Sequence, residues 1–150
     1  MHVFRLTKGM DLRKEIVKYC NDNNIKAGII GACVGCCYEI NFRLAGGEKF
    51  YHSVRDYEIV SMTGTISEDG VHIHVSFSDD EGVTVGGHLS EGCFVNSTAE
   101  VAIIEIDNYK LTREFDEETG YKELVIKKIK KSSFFLWNFV ERKNSLLLSN

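Results

Sequence analysis

The sequence predicts an α+β protein in which one main helix packs on a predominantly antiparallel sheet of about seven strands. Most of the chain divides into short segments with strand-like patterns, separated by turns rich in Gly, Asp and Glu. One segment near the start has helical spacing instead. A chain of 150 residues with 43% hydrophobic residues can bury the core of one domain.

The first two elements are a strand and the main helix. Residues 1–6 (MHVFRL) are predicted as the strand. From Asp11 to about Asn23, apolar residues recur at helical spacing, and the Asp11 carboxylate can accept hydrogen bonds from the free N–H groups of a first helical turn. We therefore predict an amphipathic helix with Asp11 as its N-cap, lying on the sheet.

Residues 25–43 contain the run AGIIGACVGCCYEINF, which is rich in small residues. Cys33 and Cys36 form a CxxC pair of the kind found in redox and zinc sites, but no second cysteine pair follows at the spacing of a structural zinc site. We interpret these cysteines as small buried residues of a tightly packed strand and turn. Neither GxGxxG nor a Walker sequence is present, which argues against a phosphate-binding loop.

Further strands are predicted at residues 56–67 and 97–106, and residues 109–125 contain a turn and a closing strand. Glu100 lies just before the apolar run 101–104. If it is buried, its pKa would be perturbed and it could act as an acid/base carboxylate or orient a neighbouring ligand. The alternative is an ordinary glutamate in water.

Residues 71–93 (VHIHVSFSDDEGVTVGGHLSEGC) are predicted to form a tight β-hairpin carrying three of the five histidines. Apolar residues from Val71 to Phe77 alternate with polar ones, so His72 and His74 point from the same polar face. The position of His88 depends on the register, because a slip of one residue moves every side chain to the opposite face.

Two turns are compatible with this hairpin. If Asp79 pairs with Gly82, Val85 opposes Ser76, and apolar and polar side chains mix on both faces. If residues 80–82 form a three-residue loop, both strands agree about which face is apolar.

We adopt the second register, in which Asp79 pairs with Val83 and His88 faces His74, although the neighbouring Gly86 and Gly87 could introduce a bulge. Directly opposed residues have Cβ atoms about 4.5–5.5 Å apart, so His72, His74 and His88 would converge. Three neutral imidazoles with open coordination positions suit a divalent metal at a reactive site. Zinc is the first candidate, with iron or nickel as alternatives. The alternative interpretation is three solvent-exposed histidines that bind nothing.

Composition excludes some classes of protein. No signal peptide or apolar run of membrane-spanning length is present, and five cysteines, an odd number, fit a reducing compartment, so we expect a cytoplasmic protein. Residues 1–125 carry 12 Lys+Arg against 21 Asp+Glu, a net charge of −9, whereas residues 126–150 carry 6 against 1, or +5. The bulk surface is therefore poorly suited to a polyanion.

Residues 127–150 form a basic and aromatic C-terminal extension, which begins with KKIKK and continues with FFLWNFV and LLL. Such a segment could contact a membrane surface, or bind nucleic acid through charge and stacking. We prefer a C-terminal helix that packs on its own subunit or a neighbour, because so many apolar residues rarely stay exposed.

Four stretches resemble the plants and prokaryotes conserved (PPC) domain, also called DUF296. They are DYEIVSMTGTIS with the EDG that follows it, HIHVSFSDDEGVTVGGHLSEGC, STAEV and DEETGYKEL. The resemblance covers about residues 1–126, leaving the extension outside. It implies an antiparallel α+β fold, a homotrimer, and a metal site at His72, His74 and His88, which match the family's HxH and GGH elements.

The same resemblance bears on function in two directions. Acetolactate decarboxylase has a related fold and a similar HxH…H zinc arrangement, an analogy of fold that transfers no reaction. Plant PPC proteins bind DNA through AT-hooks containing Arg-Gly-Arg-Pro, whereas this chain contains no proline. The sequence thus suggests a stand-alone prokaryotic member, either a trimeric DNA-associated or regulatory protein or a metal-dependent enzyme or small-molecule binder.

Overall fold

The computed structural model describes residues 1–129. In this part of the chain one helix and eight strands follow in the order β1 (His2–Thr7), α1 (Leu12–Asp22), β2 (Gly28–Arg43), β3 (Phe50–Ser67), β4 (Gly70–Ser78), β5 (Thr84–Leu89), β6 (Phe94–Glu105), β7 (Tyr109–Phe115) and β8 (Lys122–Lys128). The predicted α+β class is confirmed. The eighth strand arises because residues 109–128 form a complete two-stranded hairpin.

Six strands form the main sheet in the order β1-β6-β2-β3-β4-β5, and all neighbours are antiparallel. β5 also pairs with the far end of β2, where Leu89 opposes Phe42 and His88 opposes Arg43. The strands β2 to β5 therefore close into a small ring. β5 lies between β4 and β2, with backbone pairing on both sides.

The ring closes because β2 bends along its length. Its pairing with β6 shifts register between Ile30 and Ala32, between Gly35 and Cys37, and again before Glu39. Such bulges add twist and bend a strand. Gly35 is needed at one of them, since its φ is 143° and a Cβ there would lie 2.1 Å from the carbonyl oxygen of Thr98.

Helix α1 covers one face of the sheet with Leu12, Ile16 and Cys20, all buried. Asp11 is its N-cap as predicted, because Oδ1 accepts a hydrogen bond from the Lys14 backbone N–H at 3.0 Å. Oδ2 accepts a second from the Gly92 N–H at 2.7 Å. One buried carboxylate thus fixes both the helix start and the loop that follows β5.

The hairpin of β7 and β8 packs against the β3–β4 end of the sheet. The Glu68 backbone N–H donates to the Leu111 carbonyl at 3.0 Å, and the Arg113 backbone N–H donates to Asp69 Oδ2 at 2.7 Å. The Arg113 guanidinium donates to Thr65 Oγ1 at 3.2 Å. These bonds hold the hairpin against the end of β3 and the β3–β4 turn.

Two strands begin earlier than predicted: β3 begins at Phe50 where residue 56 was predicted, and β6 begins at Phe94 where residue 97 was predicted. The C-terminal helix was predicted for the extension as a whole. Lys127 and Lys128 belong to β8 instead, and the rest of the prediction falls on residues 130–150, outside the described part. The division of the chain at residue 126 stays a prediction.

The one helix described in residues 1–129 is not long and apolar enough to cross a membrane.

Gly87 allows β5 to lie close to β2 where the ring of strands closes. A Cβ there would lie 2.5 Å from the Arg43 carbonyl oxygen and 2.8 Å from the Phe42 ring. Because the first contact is with backbone, Gly87→Ala should lower the free energy of unfolding by about 2 kcal/mol, within the range for overpacking, as measured by urea denaturation.

Gly31→Ala is the matched control. Its added methyl would lie 3.2 Å from the flexible end of the Ile104 side chain and 3.6 Å from the Ala102 carbonyl oxygen, an ordinary contact distance. We expect a change below about 1 kcal/mol. Equal destabilisation by the two substitutions would contradict the close approach of β5 to β2.

Candidate metal centre

Two neighbouring strands assemble a cluster of three histidines, hereafter the three-histidine cluster: His72 and His74 from β4, and His88 from β5. The register places His74 opposite His88, as predicted. The turn has the predicted form too, since the Asp79 N–H donates to the Val83 carbonyl at 3.0 Å. Strand alternation brings His72 and His74 to one face, and the turn brings His88 onto it.

The geometry of the three-histidine cluster is compact. One ring nitrogen from each histidine lies within 4.8 Å of the corresponding nitrogens of the other two. The Nε2 atoms of His72 and His74 are 3.3 Å apart. His74 is exposed, whereas His72 and His88 are half-buried, so the cluster opens to solvent on one side. In residues 1–129 this is the one group of three His, Cys, Asp or Glu side chains arranged closely enough to hold a metal ion.

Burial keeps the less exposed histidines neutral. Desolvation lowers the pKa of His88 to about 4, and the Arg43 guanidinium adds to the effect. Desolvation also lowers the pKa of His72, with a further contribution from Arg113. Neutral imidazole is the form that coordinates a metal, so these two side chains need not lose a proton near neutral pH.

An unpartnered atom in the cluster tests whether a metal would fit. The Nδ1 atom of His88 is buried and has no hydrogen-bond partner in residues 1–129. A buried polar atom without a partner is costly, and coordination to an ion is one way of satisfying it. The donor set, three imidazole nitrogens with solvent access, is that of an open zinc-type site.

An open cleft of about 520 Å³ lies between the three-histidine cluster and the β7–β8 hairpin, hereafter the hairpin cleft. His72 and His88 line one side, and Arg113 and Lys122 come from the hairpin. Arg43 enters from the end of β2, where it is the cross-strand partner of His88. A cleft of this volume is in the range that holds small ligands.

The structure does not gather Glu100 with the histidines. Glu100 is exposed on β6, where its cross-strand neighbours are Arg5 on β1 and Val34 on β2. The burial on which its acid/base role depended is therefore not met. Among residues 1–129, none of those that line the hairpin cleft belongs to β6.

The cysteines follow the interpretation made from sequence, except that Cys36 is not fully buried. All five are free, and four of them are buried. Burial raises the pKa of Cys33 to about 12, which leaves its thiol protonated and unreactive. Cys36 is half-buried and its Sγ lies 3.0 Å from Ser97 Oγ.

Arg43 and Arg113 were not found by sequence reasoning. Arg43 reaches the cleft because β2 bends and pairs with β5, a contact between residues 45 positions apart in the chain. Arg113 reaches it through the docking of a separate hairpin. Neither lies in a local motif, so the sequence offered no direct signal for them.

Comparison with known proteins agrees with this architecture. The chain is 34% identical over 129 residues to the bifunctional protein GlmU of Synechococcus sp. (strain JA-3-3Ab), covering 86% of this chain but 21% of that one. The chain thus spans about a fifth of the length of that relative.

Two solved structures show the same fold over most of both chains. A hypothetical protein from Salmonella enterica matches with 30% identity and a TM-score of 0.82, covering 86% of this chain and 94% of that one. A plant- and prokaryote-conserved (PPC) protein from Pyrococcus horikoshii matches with 28% identity and a TM-score of 0.70, covering 86% and 92%.

More distant structures agree in fold alone. They include the metal-containing protein AF0104 from Archaeoglobus fulgidus, at 24% identity, and a candidate DNA-binding protein from Bacteroides thetaiotaomicron, at 19%. The antiparallel α+β fold that the family resemblance implies is also the fold of AF0104. The model of the Plants and Prokaryotes Conserved domain matches residues 1–107, and the chain belongs to that family.

Proposed function

We propose that the protein binds a divalent metal through His72, His74 and His88 and uses the site to bind or transform a small molecule. The observation that supports the proposal most strongly is the convergence of three imidazoles, with ring nitrogens within 4.8 Å of one another. Zinc is the metal proposed first, with iron and nickel as alternatives. A protein of the same fold, AF0104, is itself metal-containing.

The protein's own residues would each have a defined task. The three histidines would hold the ion from the sheet side, and the exposed position of His74 leaves room for a ligand. A divalent ion held by three nitrogens supplies Lewis acidity, which polarises a carbonyl or activates water. The hairpin cleft would position the small molecule beside the cluster.

Metal content of a histidine variant tests this proposal. Purified wild type should carry about one metal per chain by elemental analysis, and His74→Ala should lose at least about tenfold in affinity, because two imidazoles remain where three are needed.

His52→Ala provides the control, because His52 is an exposed histidine that bonds Glu39 at 2.9 Å on another part of the sheet. Its metal content should equal that of wild type. Equal metal in wild type and His74→Ala would remove the proposed site.

We also propose that the protein is a homotrimer in a reducing, cytoplasmic compartment. The family resemblance and the five free cysteines support this. Exposed apolar side chains on the sheet give the assembly a candidate surface, since Ile29 and Ile104 are cross-strand partners that are 37% and 43% exposed.

Light scattering during gel filtration should give three times the chain mass of 17.0 kDa. Ile104→Asp should shift the mass toward the monomer, because a charge in an apolar interface is costly. Val83→Asp, in the exposed β4–β5 turn, should leave the mass unchanged. A monomeric wild type would exclude the trimer.

A second candidate function is a regulatory or DNA-associated role. Two proteins of this fold, from Bacteroides thetaiotaomicron and Ralstonia eutropha, are described as candidate DNA-binding proteins. The basic segment that begins at Lys127 supports it, whereas the net charge of −4 counts against it. No AT-hook is available in a chain without proline.

Gel-shift titration of duplex DNA at several salt concentrations tests this role. Affinity should fall steeply with salt, and replacing both Lys127 and Lys128 with Gln should reduce the salt slope by about 2, because each phosphate contact contributes about 1. Absence of binding at low salt would contradict the role.

A further inference from the structure

We propose that the hairpin cleft recognises a small molecule by an oxyanion group, a carboxylate or a phosphate, held between Arg43 and Arg113 beside the three-histidine cluster. This inference rests on the proposed function in that it names the ligand class of the same site.

Arg43 is placed next to a histidine by strand pairing, and Arg113 by a side-chain hydrogen bond. Arg43 is the cross-strand partner of His88, and Thr65 is the cross-strand partner of His72. The Arg113 guanidinium donates to Thr65 Oγ1 at 3.2 Å, which places it beside His72 from the hairpin side. The two guanidinium groups therefore flank the cluster from two different elements.

Neither guanidinium is neutralised by a carboxylate. In residues 1–129, ion pairs are found for Arg13, with Glu91, and for Arg55, with Asp79 and Asp80, but none for Arg43 or Arg113. In residues 1–129, the Arg113 guanidinium donates hydrogen bonds to Thr65 Oγ1 and to the Lys122 carbonyl, both uncharged acceptors. A guanidinium has five N–H donors, so both arginines keep donors for a ligand.

The charge of the cleft is positive although the protein is acidic. Arg43, Arg113 and Lys122 line it against one acid, Glu123, while the whole chain carries −4. Arg43 is further held in place by Tyr121, whose ring centre lies 5.9 Å from the guanidinium carbon. Arginine binds carboxylate and phosphate with two parallel hydrogen bonds, which gives orientation as well as affinity.

The size of the cleft limits the ligand. Its volume of about 520 Å³ suits a small molecule. An oxyanion seated at the arginines would leave the rest of such a molecule facing the histidines. The cleft therefore combines an anchor for one end of a ligand with a reactive position for the other.

Isothermal titration of inorganic phosphate and of lactate, a 2-hydroxy carboxylate, into zinc-loaded protein tests the proposal and separates the two oxyanions. At least one should bind with one site per chain. Arg43→Gln and Arg113→Gln should each weaken that binding about tenfold or more, because each removes a charge-assisted pair of hydrogen bonds.

Arg5→Gln is the control, because it makes the same charge change at an exposed residue of β1. In the order of the sheet, β1 and β5 stand at opposite ends, so this variant should leave the anion affinity unchanged. Arg113 also bonds Thr65, so replacing Arg113 could loosen the hairpin. The decisive variant is therefore Arg43→Gln, because the Arg43 side chain contacts the Tyr121 ring but makes no hydrogen bond or ion pair in residues 1–129. Arg113→Lys, which keeps the charge, should bind more tightly than Arg113→Gln.

Two outcomes would overturn the proposal: no binding of either anion up to about 10 mM, or equal affinity in wild type and Arg43→Gln. Metal content measured on the same samples keeps the two proposals separate. Wild type without metal but with arginine-dependent anion binding would support the anion cleft and contradict the metal function. Full metal content without anion binding would do the reverse.

Discussion

The pairing of β5 with both β4 and β2 is the contact on which the rest of the site depends. Pairing with β4 sets His88 opposite His74, and pairing with β2 sets His88 opposite Arg43. A strand held on both sides cannot slip, and a slip of one residue would turn His88 away from the cluster. Gly87 permits the double pairing, since any side chain there would meet the β2 backbone.

The sequence was most informative about features that depend on residues close together in the chain. Strand alternation placed His72 and His74 on one face, and agreement of polar faces across the turn selected the register that puts His88 opposite His74. The N-cap at Asp11 was equally predictable, because a carboxylate before a helical repeat has a specific hydrogen bond to accept.

The features that could not be predicted from the sequence depend on contacts between distant segments of the chain. The bend of β2, with register shifts at three places, follows from packing against β6 and has no local signature beyond scattered glycines. Arg43 and Arg113 join the histidines only through that bend and through the docking of the β7–β8 hairpin. Glu100 had a suggestive neighbourhood in sequence, but strand pairing places it elsewhere.

Membership of the Plants and Prokaryotes Conserved domain family fixes the architecture and leaves the activity to the residues of the site. Half-buried neutral histidines, an unpartnered Nδ1 and arginines without ion pairs in one cleft form a combination suited to a metal and an anionic small molecule. An acidic surface is less suited to a polyanion. The residues thus favour chemistry at the cluster over a role defined by DNA.

Crystallographic anomalous scattering, recorded on both sides of the zinc absorption edge, tests the central claim most directly. The account predicts one anomalous peak per chain, about 2.0–2.1 Å from a ring nitrogen of each of His72, His74 and His88. A metal peak at other residues, or a zinc-soaked crystal with these three imidazoles uncoordinated, would contradict it.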